Sequence, residues 1–169
     1  EYFLDLSNYS KQDLISENYF SKLYKLEEKQ TGNIFFGQML MFSVDQIKND
    51  EQKKFLDDLK KIKELKHPSL LKFIGYSPLN FKKQKYPVIL TEYASNGTLE
   101  YILKEERNNK KIPYWDETKK LIVIFGIAFG MAYLHSHDII HKSLKPSNIY
   151  LDEILSPKLG DFGLSTRFL

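Results

Sequence analysis

A run of fourteen uncharged residues, Leu121 to Leu134, sets the first constraint on this chain. It lies in a helical stretch from about Trp115 to His135 and is apolar almost all round. A helix of that kind has to be buried on most sides. At about 20 residues per membrane-spanning helix the run is too short to cross a bilayer, so it is expected inside a soluble core. Gly126 and Gly130, four apart, point to close packing against a neighbouring helix. With 169 residues, 42% hydrophobic and 14% aromatic, the chain has apolar surface enough for one domain or two small lobes.

The charges narrow the partners. Lys and Arg number 25 against 22 Asp and Glu, a net +3 spread along the sequence. No basic face forms in sequence order, so nucleic acid is not an expected partner. The absence of cysteine excludes disulfides, CxxC zinc sites and thiol catalysis. No signal peptide is recognisable, and the expectation is a cytoplasmic protein without membrane insertion.

In chain order, Tyr2 to Leu14 reads as an entry strand or loop, and Ile15 to Leu26 as strand, turn and strand. Thr31 to Leu40 reads as a further strand, whose alternation puts Phe36 and Gln38 on one side. Asp50 to Lys66 is an amphipathic helix, with Phe55, Leu59, Ile62 and Leu65 at three- and four-residue steps and His67-Pro68 ending it. Leu70 to Tyr76 and Pro87 to Tyr93 read as strands joined by the basic turn Lys82 to Lys85. Thr98 to Lys104 is a short helix, and Lys104 to Lys111 a charged loop. After the long helix come His141-Lys142-Ser143-Leu144-Lys145-Pro146-Ser147-Asn148, a short β-like run, and Lys158-Leu159-Gly160-Asp161-Phe162-Gly163.

This order of motifs resembles a protein kinase domain, with H-R-D-L-x-x-x-N followed by D-F-G near its end. Thr91-Glu92-Tyr93 and the Gly-Ile-Ala-x-Gly-Met-x-Tyr-Leu-His pattern of the long helix look most like the tyrosine kinase-like group. The resemblance implies an α+β, bilobal fold: a β-rich N-terminal lobe with one long helix over 1–94, hinge included, and a partial, mainly helical C-terminal lobe over 95–169. A kinase domain needs roughly 250 residues, so the expectation is a fragment truncated after the D-F-G motif.

The resemblance also assigns roles, residue by residue. Lys145 matches the catalytic-loop lysine, Asn148 and Asp161 match the two side chains that hold magnesium, and the backbone of Glu92 to Ala94 matches the adenine-binding hinge after the gatekeeper Thr91. Leu23, Phe36 and Tyr150 line the adenine slot, where two aromatic rings are expected to fill the space without a nucleotide. His141 and Phe162, with Ile62 and Phe73, match the apolar column that joins kinase lobes.

Other positions depart from the pattern. Ser143 replaces the aspartate that accepts the substrate proton, and a hydroxyl holds no negative charge at neutral pH. Gln38 replaces the phosphate-binding lysine, and a neutral amide supplies no positive charge. Its helix partner would be Asp58, with at most a hydrogen bond between them. Ser16, Asn18 and Ser21 fill the three glycine positions of the phosphate-covering hairpin, where side chains are expected to crowd the phosphates. Lys22 is not expected to stand in for the lost lysine, because alternation from Leu23 turns it outward. Lys142, in place of arginine, would meet an activation-loop phosphate only as a point charge.

These losses favour a pseudokinase that works in signalling through protein partners, with no cofactor required. ATP and Mg²⁺ remain the cofactors if nucleotide binding is retained. Two alternatives stand beside it: an active ATP-dependent Ser/Thr protein kinase with an altered site, supported by Lys145, Asn148 and Asp161, and a truncated product with no function. Regulation through Ser165 or Thr166 stays open.

Overall fold

The computed structural model describes residues 3–43 and 49–161. The chain divides into two compact units, Glu1–Leu65 with Lys72–Tyr93, and Lys66–Leu71 with Ala94–Leu169.

The first unit is built on a five-stranded antiparallel sheet ordered β1-β2-β3-β5-β4. Its strands are β1 (Tyr9–Glu17), β2 (Ser21–Glu28), β3 (Ile34–Leu40), β4 (Phe73–Ser77) and β5 (Val88–Glu92). On β3, Phe35 and Met39 face one side and Phe36, Gln38 and Leu40 the other. Phe35 and Met39 join a cluster with Leu26, Val88, Leu90, Leu6 and Tyr9. The opening segment, read from sequence as an entry strand or loop, therefore covers this face of the sheet. Leu4 donates its N–H to Tyr76 O at 2.8 Å, and a Cβ on Gly75 would lie 2.4 Å from the Leu4 side chain. Helix α1 (Asn49–Glu64) buries the periodic residues expected of it, Phe55, Leu59 and Ile62, with Leu65 just beyond its end. The Phe55 ring meets Tyr76 edge-on at 5.7 Å.

The second unit contains α2 (Leu99–Arg107), α3 (Glu117–Ser136) and the two-stranded sheet β6 (Ile149–Leu151) and β7 (Pro157–Leu159). Thr98 caps α2 by accepting from Tyr101 N–H at 3.2 Å, and Asp116 caps α3 by accepting from Lys119 N–H at 2.7 Å. The two units divide between Tyr93 and Ala94, one residue before the lobe boundary expected after residue 94, and the second unit also takes in residues 66–71. Leu71 N–H donates to Leu159 O and Leu159 N–H to Ser69 O, both at 2.8 Å, so this segment is hydrogen-bonded to β7 and groups with the second unit.

Helix α3 departs from expectation in two ways. Its glycines pack against a strand and a loop, not a helix: a Cβ on Gly126 would lie 2.4 Å from Pro157 Cγ, and one on Gly130 2.8 Å from Leu159 Cδ1. The expected burial on most sides is also not met, since Phe125 and Phe129 are 61% and 63% exposed and Leu121, Ile122 and Ile124 are exposed beside them. The physical reason is that, among the described residues, β7 and Ser69 lie against the glycine side. By length and composition the 20-residue helix passes for a membrane span, but its close packing on Pro157 and Leu159 is that of a helix in a folded unit.

Gly126→Ala separates packing from propensity. Alanine would add about 1 kcal/mol of helix propensity, while the rigid Pro157 ring forces a displacement costing ~1–3 kcal/mol. The expected outcome in thermal or urea unfolding is a net loss of stability, whereas Ala128→Gly loses only the propensity contribution.

Candidate functional site

Within the first unit, the turn between β1 and β2 closes on its own side chains. Asn18 N–H donates to Ser21 O at 2.9 Å, and the Asn18 side-chain oxygen accepts from the N–H groups of Phe20 and Ser21, both at 2.8 Å. Asparagine favours this arrangement because its short amide reaches the backbone two residues on. Ser21 is buried, its hydroxyl 3.5 Å from the same Asn18 oxygen. Gln38 then donates through Nε2 to Ser21 Oγ at 3.2 Å. Residues from two of the three glycine positions and from the lysine position thus form one network. Sequence suggested crowding; the geometry instead has Asn18 folded back to occupy the turn's own donors.

Phe36, on the same face as Gln38, is 3% exposed, and its ring lies 4.8 Å from that of Tyr93. Leu23 is half-buried and pairs across the sheet with Gln38. Lys22 lies on the opposite face from Leu23 and pairs with Glu17 at 2.9 Å, which raises its pKa. The cation that sequence reasoning passed over is Lys25. It stands opposite Phe36 in the register, with Nζ 5.7 Å from the Tyr93 ring centroid. Its alternation with Leu23 was the available signal. At Glu92 the N–H donates to Lys72 O and a carboxylate oxygen accepts from Lys72 N–H, both at 2.9 Å. Ile62 and Phe73 are buried in this unit, and Asp58 is half-buried on α1.

The second unit gathers Ser143, Asn148 and Asp161. Asn148 is 9% exposed, and its Nδ2 donates to both the backbone O and the Oγ of Ser143 at 2.8 Å. Both amide hydrogens are therefore spent on the residue that replaces the catalytic aspartate, which leaves Oδ1 as the atom of Asn148 with ligand chemistry. Gly160 N–H donates to Asn148 O at 2.9 Å, so β6 and β7 place Asp161 beside the loop. Lys142 (φ 63°) and Asp161 (φ 54°) both have left-handed backbone, a strained state for the lysine. Lys145 is exposed at the start of the 3₁₀ turn Pro146–Asn148. Tyr150 is half-buried, and burial with the nearby Asp161 charge pushes its phenol up to about 12. Ala94 is buried. Phe162, Ser165 and Thr166 lie outside the described residues.

Chemically, each unit holds an incomplete set. The first has a glutamine at the lysine position, and the Asn18, Phe20 and Ser21 amide donors of the turn are engaged. The second keeps an amide oxygen and a carboxylate able to hold a divalent cation, without the carboxylate that would take a proton from a hydroxyl.

His141 gives a pH prediction. It is fully buried, its Nδ1 accepts from Ser143 N–H at 3.3 Å, and burial lowers its pKa below 6.5 despite the opposing Asp161 charge. The unfolded state then binds the proton more readily, so stability is full above about pH 6.5 and falls as pH drops from there towards the folded-state value. Melting curves between pH 7.5 and 5 are expected to show that loss, with a smaller slope in His141→Phe.

The kinase likeness extends to known proteins. A family model described as protein tyrosine and serine/threonine kinase matches residues 12–168. The leucine-rich repeat receptor protein kinase EMS1 of Arabidopsis thaliana is 29% identical over 163 residues, covering 94% of this chain and 13% of that protein. The receptor-like kinase LIP1 of the same plant is 33% identical over 160 residues, covering 93% of the chain and 24% of its own length. The chain thus spans a quarter or less of these two relatives. The structure of an apo pseudokinase aligns with a TM-score of 0.73 at 18% identity, over 89% of this chain and 53% of that one, which shows the fold. With the family model matched from residue 12 to 168, the chain belongs to the protein tyrosine and serine/threonine kinase family.

Proposed function

We propose that this kinase domain is catalytically impaired and serves in signalling as a pseudokinase that binds other proteins. The observation that carries the reading is the network Asn18–Ser21–Gln38. A phosphate group held under this hairpin would need the N–H donors of the turn and a cation at position 38. The donors are bonded to Asn18, and the cation is a neutral amide whose hydrogen is directed to Ser21. Ser143 adds a second loss in the other unit: without a general base, turnover falls by roughly 10²- to 10⁴-fold. No nucleotide or metal is required for such a role, and a cytoplasmic location and unidentified signalling partners belong to the same proposal.

A second reading is favoured by one feature, the retention of Asn148 and Asp161. In it the domain is an ATP-dependent Ser/Thr kinase that works with an altered site. Phosphotransfer separates the two. The chain incubated with labelled ATP, Mg²⁺ and casein is expected to incorporate no more label than its Asp161→Asn variant. Ser143→Asp alone is expected to stay inactive, because the phosphate half of the site is unchanged. Incorporation more than ~10-fold above Asp161→Asn would establish the kinase reading instead.

A further inference from the structure

The second unit has a recess of about 430 Å³ between α2 and the loop that follows it, of a size that ligand pockets commonly have. We propose that it docks a peptide segment from a protein partner, one that sets an acidic side chain beside an aliphatic or aromatic one. This deepens the binding role proposed above and rests on it.

The floor is apolar: Ile102 is 3% exposed, and Pro113 and the ring of Tyr101 complete it. Tyr101 is 54% exposed, an aromatic surface left open at the mouth. The acid in the lining, Glu105, is already answered, since Lys110 Nζ pairs with it and Tyr101 O–H lies 3.5 Å away. Lys111 is the remaining charge. Among the described residues no hydrogen bond or ion pair engages it, and Lys104 and Arg107, also exposed, carry the same sign on the adjacent helix. Of the other acids on α2, Glu100 is exposed four residues before Lys104, and Glu106 is held by Lys120 at 2.7 Å and by the Trp115 indole N–H at 3.1 Å. A cation, Lys111, beside an apolar floor complements an acidic side chain next to an apolar one.

The wall is also fixed in advance. Lys110 to Pro113 run between Asn109 (φ 56°) and Tyr114 (φ 61°), both left-handed, a strained backbone state for the tyrosine. Lys110 N–H donates to Glu105 O at 3.0 Å and Trp115 N–H to Ile112 O at 3.3 Å. A wall ordered before binding leaves less entropy to lose when a peptide arrives.

The test is selection of short random peptides displayed on phage against the full 169-residue chain, with selected peptides then synthesised with fluorescein and titrated. Enrichment of Asp or Glu adjacent to Leu, Ile or Phe is expected. Lys111→Glu, a surface change, should weaken these peptides roughly tenfold, and Lys82→Glu, on the other unit, should leave them unaffected. Unchanged melting curves for both variants verify folding. No such enrichment, or equal binding to Lys111→Glu, overturns the proposal. Phosphotransfer on the same preparation reports separately on the pseudokinase reading.

Discussion

A single side-chain oxygen organises the hairpin turn of the first unit. Asn18 takes up the amide donors of its hairpin turn, as an anion would, and does so from within the chain. The entropy of positioning it is small, because the residue is part of the turn it closes. Ser21, buried beneath it, and Gln38, across on β3, extend the arrangement into the sheet. Each hydrogen bond contributes only about 0.5–1.5 kcal/mol net. On the proposed reading a ligand phosphate would have to displace the Asn18 bonds and would meet a neutral amide at position 38.

The second unit shows the same economy in a different form. Asn148, a residue type that holds metal in this family, directs both amide hydrogens to Ser143. The loop geometry is kept by that pair, and the left-handed residues Lys142 and Asp161 stay at its two ends. The backbone of this loop is held by hydrogen bonds that require only a hydroxyl and a carbonyl at position 143. This is why retained motif residues are weak evidence for catalysis unless the groups they serve are retained with them.

Much of this was legible in the sequence. The periodicity of Phe55, Leu59 and Ile62 announced a core-facing helix, and the motif order announced the family, because both depend on local spacing. The replacements at 38 and 143 could be read directly, since each changes the charge at a position with a known task. Other features depend on what meets what. The six residues 66–71 join the second unit because Leu159, far along the chain, is their hydrogen-bond partner. Gly126 and Gly130 announced close approach, but glycine spacing carries no information on whether the neighbour is a helix or, as here, Pro157 and Leu159. Asn18 could have crowded a phosphate or folded onto its own turn; both suit asparagine, and only geometry decides. Lys25 lies away from the position of the phosphate-binding lysine, although the alternation that turns Lys22 away also places Lys25 on the face of Phe36.

The most direct test of the central claim is calorimetric titration of ATP, with and without Mg²⁺, into the chain and into a variant carrying Asn18→Gly, Ser21→Gly and Gln38→Lys. If the turn's donors are held internally and the cation is missing, the natural chain shows no saturable binding at millimolar ATP, and the triple variant binds. Saturable, Mg²⁺-dependent binding of ATP to the natural chain at micromolar concentration would contradict the account.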